Sequence, residues 1–291
     1  HQVNVNSSTI RNNGSHGISA YYANLDVSDS FIEGNYIYGI QASTPYDVRL
    51  SGNQILNNGN YAAYINLYSG GTYALGDPNI GSGNGSNGIG LRGIISQNTQ
   101  LALQPMFPYI INGDLTVNLG ATLTVPAGQV IKVEAPVDDL LIDGALVAEG
   151  TASAPITFTS IRDDSVGGDT NNDADATSPA TGDWGHIIIR SGATGTLTHT
   201  EVLYGGYYGT LQAAIQVTGS GSLTLSSSRV AYSDLSGIYL QGGSGVTTTL
   251  DMSGTTIEEN GGSGISTSSD LAYTHQVNVN SSTIRNNGSH G

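Results

Sequence analysis

The sequence has no cysteine and, among its 291 residues, a single lysine and seven arginines. Without cysteine, the stability of the fold cannot rest on disulfide bonds. Charged residues make up only 11% of the chain, which is less than half of the usual share. Because few Lys, Glu and Arg residues are present to build amphipathic helices, we expect an all-β protein. The 41 glycines fit short strands joined by many turns.

The scarcity of basic side chains also limits the partners of the protein. The formal net charge is −15, whereas contacts to phosphate groups need clustered Lys and Arg. The sequence therefore argues against nucleic acid and anionic membranes, and it suits a cation-binding or strongly hydrated exterior. It has no apolar run typical of a signal peptide or a membrane-spanning helix, so we predict no membrane insertion. Because the chain begins inside a repeat, we expect it to be an internal fragment of a larger protein.

The most prominent feature that the chain does have is a perfect duplication. The stretch HQVNVNSSTIRNNGSHG occupies residues 1–17 and recurs unchanged at residues 275–291, an offset of 274 residues. A duplication introduced by cloning is one explanation. We favour one full period of a tandem array followed by a 17-residue overlap with the next period, because the duplicated stretch fits a shorter repeat found elsewhere in the chain.

The shorter repeat is centred on an apolar anchor residue. In its first copy Val3 and Val5 precede the anchor Ile10, and Asn13 follows it. The same frame fits the anchors Ile32, Ile55, Val230, Ile257 and Ile284, and less closely Val202 and Ile80, the latter with Tyr73 and Leu75 upstream. Adjacent anchors are spaced by 22 to 28 residues. The long gap between the anchors at 80 and 202 has room for about four more units, which gives roughly ten coils per period.

The frame has the geometry of stacked strands. Apolar residues two apart lie on the same face of a strand, and an Asn after the anchor suits a tight bend because Asn tolerates left-handed backbone angles. A unit this small cannot bury its own inner face, so it must stack on its neighbours as a solenoid. Asn residues at one position of successive coils then stack amide on amide. We predict that Asn35, Asn58 and Asn260 point inward and hydrogen-bond to their equivalents in adjacent coils.

These features resemble the right-handed parallel β-helix of the pectate-lyase-like superfamily, as found in long surface proteins of bacteria and archaea. The stretch GDLTVNLGATLTV, followed by PITFTS, is similar to one that is common in such surface proteins. The resemblance implies an all-β fold, a right-handed parallel β-helix (β-solenoid) of about ten coils per 274-residue period, and one continuous solenoid through residues 1–291. The ladder pattern is fairly specific for this fold and indicates nothing about activity.

Residues 161–185 form the one clear insertion in this pattern, and they are acidic and rich in turn-forming residues. We expect a loop of this kind to stand off the solenoid surface. Oxygen-bearing side chains alternate along it, at Asp169, Asn171, Asp173 and Asp175. Alternating oxygen ligands are how a compact loop wraps Ca²⁺, and the first three match the start of an EF-hand-type loop.

The rest of the EF-hand pattern is missing. Ala174 and Ala180 stand where such a loop has Gly and Glu. The closing carboxylate must therefore come from elsewhere, and Asp163, Asp164 and Asp183 are within reach of the loop. We predict that the four alternating residues, helped by Asp163 or Asp183, hold one Ca²⁺ and order the insertion. The alternative is a solvated acidic loop without a metal.

Catalysis is a competing possibility, because the fold that the chain resembles hosts polysaccharide lyases and glycosidases. Pectate-lyase-like enzymes pair calcium-binding aspartates with a catalytic arginine, and polygalacturonase-like enzymes show NTD, DD, GHG and RIK runs. The chain has Asp163-Asp164 and Ser15-His16-Gly17, but it lacks NTD and RIK and has no arginine convincingly placed beside the acids. A catalytic pair of carboxylates needs a defined separation across a cleft, which the sequence does not indicate. We predict that the protein is not an enzyme.

Two other binding roles compete with simple packing. The early part of the chain is dense in tyrosine, at Tyr21, Tyr22, Tyr36, Tyr38, Tyr61, Tyr64, Tyr68 and Tyr73. These rings could form a sugar-binding face, but an amphipathic ring also fits coil corners and strand ends, and we favour the latter. Regular Thr-x-Thr rows on a flat solenoid face can bind ice. The threonines of residues 122–124 and 247–249 do not recur at one frame position, which argues against that role.

The sequence as a whole favours a structural protein. We expect a tandem-repeat solenoid that forms a filament, stalk or adhesin shaft outside a prokaryotic cell, stabilised by Ca²⁺. Its partners are then neighbouring repeats or subunits of the same protein, with surface polysaccharide as a further candidate. The competing class is a polysaccharide-binding or polysaccharide-degrading module on the same fold. A groove lined by clustered acids and an arginine would favour the enzyme, and a smooth shaft of stacked coils would favour the filament.

Overall fold

The computed structural model describes residues 1–43, 46–67, 72–74, 76, 78–207, 209, 212–270 and 272–291, with the backbone alone for residues 72–74. Over this described part the chain forms strands and turns and no helix, so no helix there could cross a membrane. The chain winds through ten coils and enters an eleventh. The all-β solenoid predicted from the sequence is confirmed, and so is the number of coils.

The strands are short, as the Gly-rich sequence predicts. Coils 1 to 4 contain β1 (Gln2–Asn6), β2 (Thr9–Arg11) and β3 (Ile18–Tyr21); β4 (Asn24–Ser28), β5 (Phe31–Glu33) and β6 (Ile40–Ser43); β7 (Asp47–Ser51), β8 (Gln54–Leu56) and β9 (Tyr61–Leu67); β10 (Thr72–Ala74), β11 (Ile80–Ser82) and β12 (Ser86–Ile95). Coils 5 to 7 contain β13 (Thr99–Gln100) and β14 (Tyr109–Val117); β15 (Thr122–Val125), β16 (Val130–Val133) and β17 (Leu140–Ile142); β18 (Ala145–Glu149), β19 (Ile156–Ser160) and β20 (Ile187–Ile189). Coils 8 to 11 contain β21 (Thr194–Thr198), β22 (Thr200–Leu203) and β23 (Ala213–Thr218); β24 (Ser222–Ser226), β25 (Arg229–Ala231) and β26 (Ser236–Gln241); β27 (Thr247–Ser253), β28 (Thr256–Glu258) and β29 (Ile265–Thr267); β30 (Thr274–Asn280) and β31 (Thr283–Arg285).

Equivalent strands of successive coils pair in parallel and form three long rows. In coils 1 to 4 the rows are β1-β4-β7-β10, β2-β5-β8-β11 and β3-β6-β9-β12; in coils 6 to 11 they are β15-β18-β21-β24-β27-β30, β16-β19-β22-β25-β28-β31 and β17-β20-β23-β26-β29. The two sets meet at coil 5, where the long strand β14 pairs with both β16 and β17. Because β12 pairs with both halves of β14, the third row of the early coils continues into both the second and the third rows of the later ones.

The core is a column of aliphatic side chains inside the coils. The anchors align as the sequence predicts: Ile10 lies opposite Ile32 and Ile32 opposite Ile55, and Val230 lies opposite Ile257. The residues two apart before each anchor point to the same interior, because alternate side chains of a strand share a face.

The anchor predicted at Ile80 is wrong by one residue. Gly81, not Ile80, lies opposite Ile55, and the side chain of Ile80 is 54% exposed. A Cβ atom on Gly81 would lie 2.4 Å from the ring of Phe107, so the glycine leaves the space that this phenylalanine fills. Leu75, which we placed in the same frame, lies outside the described residues. With the anchor at 81, Asn84 takes the ladder position that it misses by one residue in the predicted frame.

The predicted asparagine ladder is confirmed. The Nδ2 atom of Asn35 donates to Oδ1 of Asn58, and that of Asn58 donates to Oδ1 of Asn84, each at 2.8 Å. Asn260 donates to Asn287 at 2.9 Å in the same way, and Asn35, Asn58 and Asn260 are all buried.

A second ladder, which the repeat frame did not indicate, lies at the turn that precedes each second strand. There a backbone N–H of one coil donates to a side-chain oxygen of the next, from Ser30 to Asn53 at 3.0 Å and from Asn79 to Gln104 at 2.7 Å. In both ladders each coil donates hydrogen bonds to the coil after it. These side chains satisfy backbone groups that the bends leave without strand partners.

Candidate metal centre

The acidic insertion lies across the solenoid and does not stand off it, contrary to our expectation. Residues 161–185 connect β19 to β20, and within them Thr170 and Trp184 are fully buried. The indole N–H of Trp184 donates to the carbonyl oxygen of Leu203 in coil 8, at 2.7 Å. The physical reason is that the loop carries apolar and hydrogen-bonding groups that the outer face of the solenoid can satisfy.

Lys132, the only lysine of the chain, fastens the loop. Its side chain points outward from β16 and is nevertheless completely buried, because the insertion covers it. Its Nζ atom donates to the carbonyl oxygens of Asp163 and Gly168, both at 2.8 Å. Burial lowers the pKa of Lys132 to about 8, although the nearby charges of Asp164, Asp163 and Asp169 oppose that shift.

The loop is also joined to the end of the asparagine ladder. Asn84 donates to Oδ1 of Asn87, at 3.2 Å. Asn87 in turn donates from its backbone N–H to the carbonyl oxygen of Thr170, at 2.7 Å, and from Nδ2 to that of Asp169, at 3.1 Å. The insertion therefore contacts coil 4 through Asn87, coil 6 through Lys132 and coil 8 through Leu203.

Three carboxylates of the loop converge. Asp164, Asp169 and Asp173 each offer an oxygen atom, and these oxygens lie within 4.8 Å of one another. Both carboxylate oxygens of Asp164 are shielded from solvent and have no hydrogen-bond partner, and the same holds for Oδ1 of Asn171. Buried acceptors without partners are rare because they lose their hydration without compensation. Burial raises the pKa of Asp164, and the neighbouring carboxylates raise it further, while Lys132 lowers it.

Two of these acids also shape the loop. Asp169 accepts the backbone N–H groups of Asp173 and Ala174, each at 3.0 Å. Asp173 accepts hydrogen bonds from the hydroxyl of Thr177 and, at 2.7 Å, from Nδ2 of Asn171. The hydrogen bond from Thr177 is the main reason why the pKa of Asp173 lies below the usual value of an aspartate. An ionised carboxylate has about four lone-pair sites, so these contacts leave capacity for a cation.

Not every predicted ligand reaches the cluster. Asp163 accepts from Thr159 at 2.7 Å and from Ser165 at 2.5 Å. Asp183 pairs with Arg162, at 2.8 Å, and accepts the hydroxyl of Ser160. The structure thus brings neither into the group of three acids that Asp164 joins.

Asp175 lies on the wall of a cleft next to the cluster, together with Asp164. Of the six predicted ligands, the structure places Asp169 and Asp173 in the group and Asn171 beside them. Asp164, which the sequence left as one of three choices, supplies the remaining carboxylate. Asp163 and Asp164 are neighbours in sequence, and only the packing of the strand end decides which of them faces the cluster.

The charges and donor atoms fit a hard divalent cation. The carboxylates of Asp164, Asp169 and Asp173 and the ammonium group of Lys132 leave two net negative charges. All candidate donors are oxygens, which is the ligand type that Ca²⁺ and Mg²⁺ prefer. The amide oxygen of Asn171 suits Ca²⁺ in particular, because Ca²⁺ readily takes carbonyl and carboxylate oxygens from a curled loop.

The adjoining cleft is polar. Its walls include Arg162, Asp164, Asp175, Thr177 and Tyr204. An arginine therefore does lie near the acids, although the sequence did not indicate one convincingly. Its guanidinium group is bound to Asp183 at one edge of the cleft and is half exposed.

The early tyrosines form a cluster of their own. Tyr38 stacks between His16 and Tyr64, with ring centroids 5.0 and 5.2 Å apart. Tyr61 is buried against them, and its hydroxyl donates to Glu134, whose pKa is raised by burial. The rings mostly cover one another.

Other tyrosines are free of such packing. Tyr21, Tyr22 and Tyr36 are exposed. Tyr68 and the side chain of Tyr73 lie outside the described residues.

Residues 93–233, just under half of the chain, match the family described as the pectate-lyase like beta helix domain. The matched residues include coil 5, where the two sets of rows meet, the insertion and the candidate metal centre. No curated protein and no solved structure matches the chain significantly.

Proposed function

The chain is a parallel β-solenoid of about ten turns with a pectate-lyase-like β-helix domain, and on this premise we propose that it is one period of a structural shaft. In this proposal tandem periods form a filament, a stalk or the rod of an adhesin at the surface of a prokaryotic cell. The partners are neighbouring repeats of the same protein. The observation that carries the proposal is the duplicated segment, which forms the same strands at residues 1–17 and 275–291.

The spacing of the array tests this proposal. Ten coils per period at about 4.8 Å per coil advance the shaft by about 48 Å. Electron microscopy of native material is expected to show thin, stiff filaments with that axial repeat at the cell surface. Globular beads on flexible links, or a protein retained inside the cell, would refute it.

We further propose that Asp164, Asp169, Asp173 and Asn171 hold one Ca²⁺ that orders the insertion. The unpartnered oxygens of Asp164 and Asn171 support this. Titration calorimetry with millimolar Ca²⁺ is expected to give one site per chain in the wild type. Asp164→Asn should lose it, whereas Asp183→Asn, a change of the same kind in the same loop away from the cluster, should keep it. No heat with the wild type, or equal binding by both variants, would contradict the site.

A polysaccharide-binding or polysaccharide-degrading module is the second candidate. The polar cleft favours it, because Arg162, Asp164 and Tyr204 face a common space. Incubation with acidic and neutral polysaccharides, with and without Ca²⁺, tests both possibilities by reducing-end release and by binding. Under the shaft proposal no release is expected. Release that Arg162→Ala abolishes and Arg190→Ala preserves would establish the enzyme instead.

A further inference from the structure

The duplicated segment occurs in two different structural contexts. At residues 275–291 it follows coil 10, where β30 pairs with β27 and β31 pairs with β28. At residues 1–17 it precedes coil 2, where β1 pairs with β4 and β2 pairs with β5. The two contexts therefore show both faces of what can be a single coil.

We propose that the two copies are the same coil of a tandem array, which we call the joint coil, and that coil 2 of the next period is seated directly on residues 275–291. The partner surface is thus a second copy of this chain's coil 2, at a spacing of 274 residues. This inference rests on the proposed function and deepens it, because it gives the contact between periods residue by residue.

The apolar residues of the joint coil support the contact. On coil 10, Leu250 and Met252 lie opposite Val277 and Val279 and are buried, yet Val277 and Val279 remain 39% and 43% exposed. In the first copy the same two valines lie opposite Leu25 and Val27 of coil 2. Seating coil 2 on the joint coil therefore covers both faces of these valines.

The asparagine ladder also runs through the joint coil without a change of direction. Asn260 donates from Nδ2 to Oδ1 of Asn287, at 2.9 Å. Asn13, the same residue in the first copy, donates to Asn35, at 2.8 Å. In the array, Asn287 takes the place of Asn13, and the amides of five coils form one unbroken ladder across the contact between periods.

Charge specifies which coils meet. On the coil 10 side, Arg285 contacts Glu258 at 2.8 Å, and Asn278 donates to Asp251 at 2.6 Å. On the coil 2 side, Arg11 lies opposite Glu33. The joint coil is therefore a basic and amide-rich layer between two acidic layers.

The two alternative contacts place like charges together. If coil 2 were seated on coil 10 without the joint coil, Glu258 would lie beside Glu33. If whole 291-residue chains were stacked end to end, Arg285 would lie beside Arg11. Like charges directly opposite each other in a sheet are destabilising, so only a joint coil shared by both periods gives alternating charges.

Shortened chains test this directly. A chain of residues 1–274 lacks the second copy of the joint coil, and a chain of residues 18–291 lacks the first. The two ends of each shortened chain are therefore complementary to each other. Coils of a solenoid contact only their neighbours, and circular dichroism checks that the remaining coils stay folded. In sedimentation velocity both shortened chains are expected to form head-to-tail polymers whose mass rises with concentration, whereas the full chain stays monomeric.

Variants at the contact sharpen the test. In the 1–274 chain, Arg11→Glu should abolish assembly because it faces Glu258, and Arg11→Lys should retain it. The matched control Arg49→Glu, with the same charge change in coil 3, should assemble normally. Folded 1–274 and 18–291 chains that remain monomeric, or full chains that assemble equally well, would overturn the inference.

An independent measurement uses residues 1–274 followed by residues 1–291 in one chain. Amide hydrogen exchange in coil 2 of the second period should be as slow as in coil 9, and fast exchange there would overturn the inference. If the joint is found but native material forms no surface filaments, the proposed function fails and the joint stands. If surface filaments exist with a different contact, the joint alone fails.

Discussion

Replacing Asn58 by Ala removes the centre of the asparagine ladder. Oδ1 of Asn58 accepts both the backbone N–H and the side-chain amide of Asn35, at 3.0 and 2.8 Å. Its Nδ2 atom donates to Asn84 and to the carbonyl oxygen of Ile32, at 2.8 and 3.3 Å. The side chain is 1% exposed, so water does not readily replace these contacts.

The cost follows from the groups that lose their partners. The two N–H donors of Asn35 and the carbonyl oxygen of Ile32 are left without these bonds, while Asn84 keeps its contact to the backbone N–H of Asn58. At about 1 kcal/mol or more for each buried group without a partner, Asn58→Ala should lower the free energy of unfolding by about 3 kcal/mol. In a chain of this size that corresponds to a decrease in Tm of about 6–12 °C.

Thermal unfolding followed by circular dichroism measures this decrease. Asn60→Ala, two residues away and on the exposed surface, is the matched control and should change Tm by about 1 °C or less. Equal effects of the two substitutions, or an Asn58→Ala variant as stable as the wild type, would refute the assignment of the ladder as a source of stability.

Three other changes probe the insertion. Lys132→Met leaves the carbonyl oxygens of Asp163 and Gly168 without their donor, and we expect about 2–4 kcal/mol less stability in urea unfolding. Because burial lowers the pKa of Lys132 to about 8 in the folded state, the unfolded chain binds more protons than the folded chain between about pH 8 and pH 10.5. In the presence of a chelator, the free energy of unfolding of the wild type should therefore rise over this range relative to that of Lys132→Met. The same pH dependence in both proteins would contradict this. Gly205→Ala places a Cβ atom 2.8 Å from the ring of Trp184, so fluorescence of the single tryptophan should shift to longer wavelength, whereas Gly14→Ala, in open space, should leave it unchanged.

The fold could be predicted from the sequence because its periodic part obeys a local rule. Anchors such as Ile32 and Val230, each followed by a bend, can be recognised from the alternation of side-chain direction along a strand. The only other requirement is that every coil bury its inner face. The rule failed at Ile80, where the coil is one residue longer and a glycine leaves room for Phe107. It also missed the second ladder, because Ser, Asn and Gln take the same position there and no single residue type marks it.

The candidate metal centre was less accessible to prediction because packing between distant coils determines it. The alternating oxygens of Asp169, Asn171 and Asp173 are a local pattern, and the sequence indicated them. The choice of Asp164 over Asp163 depends on how the insertion lies against the solenoid. That placement depends in turn on Lys132, which is about 30 residues away from the loop in sequence. A lone lysine in an acidic chain was the one signal that could have indicated it.

The contacts of the insertion have a mechanical consequence. In the proposed shaft, tension along the axis acts in line with the hydrogen bonds between coils, so a coil with few of them is expected to open first. Coil 5 is such a place, because β13 has only two residues and, among the described residues, no strand of coil 5 pairs with β11. The insertion spans this weak point: it is bound to Asn87 before coil 5, and to Lys132 and Leu203 after it. If the proposed shaft is correct, the insertion braces this coil, and a pulled shaft should yield between insertions before it yields beneath one.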